Sequence, residues 1–214
     1  MMEIAIYVEG GGDTAQQKSE LRQGFDELLS PLKAKAREKR LRWKLIPCGG
    51  RQQTYEAFLN SLKANPTAVN ILLVDSESEL PAFHDNPAED ARLRIEHLAK
   101  RDKWVLSGIN PHRIHLMVQC METWISADPE ILEGFYKKNF KRNILPTRNN
   151  LEEEPKSDIY EKLRKATQDT QNGEYGKICH ASKLLKLIRP AEIEQRCPRF
   201  KEFIRSLEEI INAS

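Results

Sequence analysis

"VNILLVDSESE" (residues 69–79) is the stretch on which the fold turns. Five of its first six residues are apolar, and the run stops at Asp75, with Glu77 and Glu79 following among serines. A short apolar run with sharp ends is what a strand buried on both faces requires. The opening of the chain has the same build. "IAIYVEGGGDT" (residues 4–14) is an apolar run that stops at Glu9, followed by Gly10, Gly11, Gly12 and Asp13.

Working outward, strands are predicted over 3–8, 42–48, 69–74 and 113–119. Between the first two, Leu21, Phe25, Leu28, Leu29 and Leu32 recur at helical spacing. They predict one helix to about residue 40, capped by Asp13 or Thr14 and kinked at Pro31. Tyr55, Phe58, Leu59 and Leu62 mark a second helix. A third is predicted over 87–101, with Pro87 in its first turn. Residues 120–127 turn out of the fourth strand into another helix. Connections this long between strands imply parallel pairing and right-handed crossovers. The expected fold is therefore α/β, a parallel sheet flanked by helices over residues 1–127. After residue 128 no strand is predicted, and Asp128-Pro129 starts a short helix. A polar stretch at 141–157 reads as loop, and helices are expected near 158–169, 180–188 and 199–211, so 128–214 forms a helical C-terminal appendage.

The chain has 214 residues, 39% hydrophobic and 31% charged, as in a soluble globular protein. No apolar run approaches the roughly 18 residues of a membrane span. No basic segment leads into a long apolar one near the start, so a cytoplasmic protein is expected. Cys48, Cys120, Cys179 and Cys197 form no CxxC pair, which argues against structural zinc and disulfides. Net charge is only +2, yet residues 33–44 carry seven basic side chains against Glu38 alone. Such a run is either a solvated helix face or a stripe that tracks phosphates.

In a parallel sheet all carboxyl ends lie along one rim, where such folds bind ligands. Glu9, Asp75, Glu77 and Glu122 are all placed there by the predicted strands. Asp75 and Glu77, two apart, would point the same way in extended backbone. Converging carboxylates repel, and a hard cation such as Mg²⁺ or Mn²⁺ relieves that. Gly10, Gly11 and Gly12 leave room for a phosphate beside Glu9. Arg51 follows the glycines of the second strand on the same rim and is the candidate phosphate-contacting cation. Lys177, His180 and Lys183 form a spaced basic trio. They are either phosphate contacts or a solvated face. His84 lies in the loop after the acids, His112 and His115 sit at the opposite edge with structural roles, and Trp124 is expected in the core.

"YVEGGGDT", "LLVDSESE" and "QCMETWIS" together resemble the Toprim fold of topoisomerases, primases and OLD-family nucleases. They are most similar to the DUF4276 group, Toprim-like proteins related to RloB and often linked to bacterial defence ATPases. The resemblance spans nearly the whole chain, including "YGKICHASKLLKLI". It implies that Glu9, Asp75 and Glu77 ligate metal and that Glu122 matches the acid of the third block. The Asp-x-Asp of that fold stands here as Asp75-Ser76-Glu77, with one arm longer. A Mg²⁺- or Mn²⁺-dependent nuclease acting on DNA or RNA is the expectation, with an adjacent AAA- or ABC-type ATPase as partner and no membrane contact. The rival is a non-catalytic module of the same fold. A homo-oligomer is compatible with either.

Overall fold

A computed structural model describes residues 2–214. Four parallel strands form the sheet: β1 (Glu3–Glu9), β2 (Arg42–Gly49), β3 (Val69–Asp75) and β4 (Ile114–Met117), in the order β2-β1-β3-β4. β3 is buried along its whole length, as its unbroken apolar run demands.

The crossovers are α1 (Ala15–Leu28) and α2 (Ser30–Glu38), α3 (Arg51–Ala64), and α4 (Pro87–Asp102). Strand alternation sorts the sheet into two faces. Ile4, Ile6, Val8, Ile71, Leu73 and Met117 join the core of α1 and α2. Leu72, Val74, Ile114 and Leu116 join Tyr55 and Phe58 of α3 and Leu98 of α4. The chain leaves β1 toward β2 and returns across it to β3, so a topological switch point lies between β1 and β3.

The first predicted helix is two. Leu29 breaks it, and Pro31 sits in the first turn of α2, where a missing N–H costs nothing. Thr14, not Asp13, caps α1 through a reciprocal box with Gln17. Gly24 stands mid-helix because another helix crosses there: a Cβ on it would lie 2.8 Å from the Ser182 carbonyl oxygen.

After β4 come α5 (Met121–Ser126), α6 (Pro129–Tyr136), α7 (Lys156–Thr167), α8 (Lys177–Leu185), α9 (Pro190–Arg196) and α10 (Pro198–Asn212). The stretch 141–157 contains two short 3₁₀ turns, Arg142–Ile144 and Leu151–Glu153. The expected helical tail is present, with α9 an addition to it. It is not detached: Trp124, Leu184, Phe200 and Phe203 share one apolar cluster with Phe25 of α1 and Ile71 of β3. A buried ionic group adds to the join. Arg199 of α10 pairs with Asp90 of α4 at 3.0 Å and with Glu152 at 3.3 Å. Trp124 is fully buried, and His115 is packed between Arg94 and the His112 carbonyl. No helix among the described residues is long and apolar enough to cross a membrane.

Candidate metal centre

Glu9 ends β1 and Asp75 ends β3. The register Val8↔Leu73 sets these two adjacent strands so that their last residues face the same rim. One carboxylate oxygen from each of Glu9, Asp75 and Glu77 lies within 4.8 Å of the others. The third acid arrives differently from expectation. β3 has ended before Glu77, and strand alternation does not aim it. Glu77 has a left-handed backbone (φ 68°), its N–H donates to the Gln119 carbonyl at 2.8 Å, and Ser76 N–H donates to the Met117 carbonyl at 3.0 Å. These bonds tie the turn after β3 to the end of β4 and to the segment that follows it.

Glu122, in the first turn of α5, is wholly buried and stands outside that trio. Tyr175 Oη donates to its Oε1 at 2.9 Å, while Oε2 has no hydrogen-bond partner among the described residues. The Lys177 ammonium links it to the trio, 3.7 Å from Glu122 Oε2 and 3.4 Å from Asp75 Oδ2.

Basic groups enclose the acids. Lys156, at the start of α7, sits 2.7 Å from Glu77. Arg51 spends its guanidinium on the protein. Nε and Nη2 form a fork on Asp102 at 2.8 and 2.7 Å, Nη1 donates to Glu9 at 3.0 Å, and the same nitrogen contacts the Asp75 carbonyl. Four of the five guanidinium donors are used on the protein, so Arg51 braces Glu9 and one donor remains for the expected phosphate contact. The Trp104 ring covers the guanidinium at 5.0 Å.

The charges show in the proton affinities. Burial raises Asp75 to about 7, with the Lys177 ammonium opposing and Glu122 and Glu9 reinforcing. Burial also raises Glu9, against the pull of Arg51. For Glu77 burial is outweighed by Lys156, and its affinity is lowered. Burial works against the Lys177 ammonium, yet Asp75 and Glu122 hold it well above the ordinary range.

Gly10, Gly11 and Gly12 all have positive φ. At Gly11 a side chain would also strike Lys18 Cα at 3.1 Å and Pro47 Cβ at 3.2 Å. The triplet lines a cleft of about 200 Å³ with Leu21, Met121, Lys177 and Ile178. The rest of the basic trio lies elsewhere. His180 is buried, and its Nδ1 accepts the Gly176 N–H at 3.2 Å beside Tyr136 Oη. It shapes the start of α8. Lys183 lines a separate cleft with Gln16, Cys179 and Lys186. His84 Nδ1 accepts the Asn86 N–H ahead of α4.

Three carboxylate oxygens in one place, with the orphaned Glu122 oxygen behind Lys177, form a donor set suited to a hard divalent cation. Asp102, Lys156 and Tyr175 were missed by sequence reasoning, since nothing local marks them.

No curated protein and no solved structure matches the chain. A family model described as a domain of unknown function, DUF4276, matches residues 8–208. With that span covering nearly the whole chain and both acid-bearing strand ends, the protein belongs to the DUF4276 family.

Proposed function

We propose that this protein is a divalent-metal-dependent enzyme that cleaves nucleic-acid phosphodiesters. The observation that carries the reading is the meeting of Glu9, Asp75 and Glu77 at the switch point of the sheet. Glu9, Asp75 and Glu77 would hold Mg²⁺ or Mn²⁺, which when bound polarises a phosphoryl oxygen and lowers the pKa of an attacking water. Arg51 fixes the Glu9 carboxylate, and Lys156 fixes Glu77. Tyr175 orients Glu122, which with Asp75 aims the Lys177 ammonium at the rim beside the glycine turn. The cleft that Gly10–Gly12 line also holds Lys177, and a phosphate entering it would have that ammonium facing the charge that develops on it. By its Toprim-like resemblance, the protein acts in the cytoplasm as an effector of bacterial anti-phage defence, gated by a partner ATPase.

A second reading has its own observation. Arg51, Lys156 and Lys177 already neutralise the acids, as suits a module that binds a partner and no metal. Incubation of DNA and RNA panels with Mg²⁺ and Mn²⁺, with and without the partner ATPase, separates the two. Metal-dependent cleavage abolished by Asp75→Asn is the expected result. Absence of both cleavage and Mn²⁺ binding would leave the module.

A further inference from the structure

The basic stretch 33–44 is not beside the acidic centre. β2 begins at Arg42 opposite Glu3 and ends at Gly49 opposite Glu9, so the end of α2 and the start of β2 occupy the far edge of the sheet. Eight residues of strand separate the two ends, roughly 25 Å at ~3.3 Å per residue.

Basic side chains span that distance. Among the described residues β2 pairs only with β1, and its other edge carries no strand. From α1, Lys18 Nζ donates to the Cys48 carbonyl at 3.3 Å and Arg22 Nε to the Leu45 carbonyl at 3.2 Å. Lys18 lies against the glycine turn, 3.6 Å from where a Cβ on Gly49 would stand. Arg42 and Lys44 stand on the same edge strand, on the face opposite Trp43 and Leu45, and Arg40, Lys39 and Arg37 lie at the end of α2 and in the turn after it; all five are exposed. A groove of about 310 Å³ runs along this edge between Arg22, Trp43 and Lys44.

The line stands out by what it lacks. Ten of the sixteen arginines are in ion pairs with acids. Of the six without an acidic partner among the described residues, Arg22, Arg37, Arg40 and Arg42 are here. Lys18 and Lys39 are also without one, while Lys44 pairs with Glu3 at 2.8 Å and Asp26 in the groove is held by Lys33 and Trp43. Protection of an edge strand against pairing accounts for one or two charges on β2. It does not account for unpaired bases continuing from α1 to the end of α2, in a chain whose net charge is only +2.

We propose that the free edge of β2, from Lys18 to the end of α2, is a track for the phosphodiester backbone of a nucleic-acid duplex that leads into the acidic centre. The direction of the track rests on the nuclease reading, but binding along it needs no metal. At 3.4 Å per base pair the track covers about 7 base pairs on one side of the centre.

The test is binding in EDTA, by fluorescence anisotropy, of labelled DNA and RNA duplexes of increasing length across a NaCl titration. The wild type should bind a 20-base-pair duplex with log K falling linearly in log[NaCl]. Combined Arg37→Ala, Lys39→Ala and Arg42→Ala should flatten that slope by about 2.7, from ~0.9 per lost phosphate contact. Duplexes shorter than about 7 base pairs should show a flatter slope even with the wild type. Arg40 has a left-handed backbone (φ 56°), so Arg40→Gly should keep or raise the melting temperature while flattening the slope by about 0.9. That pairing of effects excludes misfolding as the cause. An unchanged slope in the triple variant overturns the track, as does tighter wild-type binding to polyglutamate than to duplex, which would mark an acidic protein partner. Metal-dependent cleavage with an unchanged KM in the triple variant removes the track and keeps the nuclease. Salt-dependent binding on the track without cleavage keeps the track and removes the nuclease.

Discussion

Arg51 Nη1 donates to Glu9 Oε2 at 3.0 Å, and that same oxygen accepts the Asp75 backbone N–H at 3.1 Å. One carboxylate oxygen thus locks the ends of β1 and β3 together, with the Asp102 fork holding the arginine from α4. All three ionic side chains are mostly buried. Removing one partner leaves the others as poorly solvated charges. Arg51→Ala should cost about 3 kcal/mol of stability. Arg51→Lys should lose less, since charge stays while the fork is lost. Urea denaturation of the three proteins checks the order, and equal stability of wild type and Arg51→Ala would refute the brace.

Asp75 makes stability depend on pH in a definite direction. Its carboxyl is raised by burial to about 7 in the folded protein, against about 3.9 unfolded. Between those values the folded state holds more protons than the unfolded one. Stability therefore falls as pH rises through this window, by at most about 1.4 kcal/mol per pH unit, and levels off above it. Asp75→Asn does not titrate there. Its stability relative to wild type should improve from pH 4 to pH 7, and at pH 8 without metal it should melt level with or above wild type. A steady deficit across that range would refute the burial cost.

The same proton competes with a metal. If Asp75 is a ligand, apparent Mn²⁺ affinity should drop about tenfold per pH unit below 7, with about one proton released on binding. Calorimetry in two buffers of different ionisation enthalpy measures this. Affinity independent of pH between 5.5 and 7 would place the metal elsewhere.

Lys177 stands where its ammonium offsets the charge of Asp75 and Glu122. Lys177→Met removes a competing cation, so Mn²⁺ should bind several-fold more tightly while cleavage falls by a factor of order 10². Metal affinity by titration and single-turnover cleavage are read on the same preparation. Cleavage that rises along with affinity would show that the lysine only blocks the site.

Gly24 offers a test of packing against propensity. Glycine to alanine inside a helix ordinarily adds about 1 kcal/mol. Here the new methyl would meet the Ser182 carbonyl of α8 at 2.8 Å, a backbone atom that cannot swing aside. Gly24→Ala should destabilise by about 1–3 kcal/mol. A gain in melting temperature would mean that α1 and α8 are not in that contact.

Short-range patterns in the chain carry half of the acidic rim. The apolar runs of β1 and β3, and the acids that stop them, place Glu9 and Asp75 on one rim once the strands are parallel, because every carboxyl end then faces the same way. The spacing of Leu21, Phe25 and Leu28 likewise marks the buried face of α1. The short α9 was illegible, since only Ile193 of its seven residues is buried and no stripe can form. The rest of the centre comes from the packing of distant segments. Glu77 is aimed by its backbone hydrogen bond to Gln119 beyond β4, not by strand alternation. Its partner Lys156 is 79 residues away, Tyr175 is 53 from Glu122, and Asp102 is 51 from Arg51. The basic stretch precedes β2, so the same parallel course sends it to the far edge, but which of its charges lack acidic partners only the folded chain shows. Local spacing encodes which face of an element is buried, whereas charges that meet across such separations are paired by the folded backbone, and no periodicity records them.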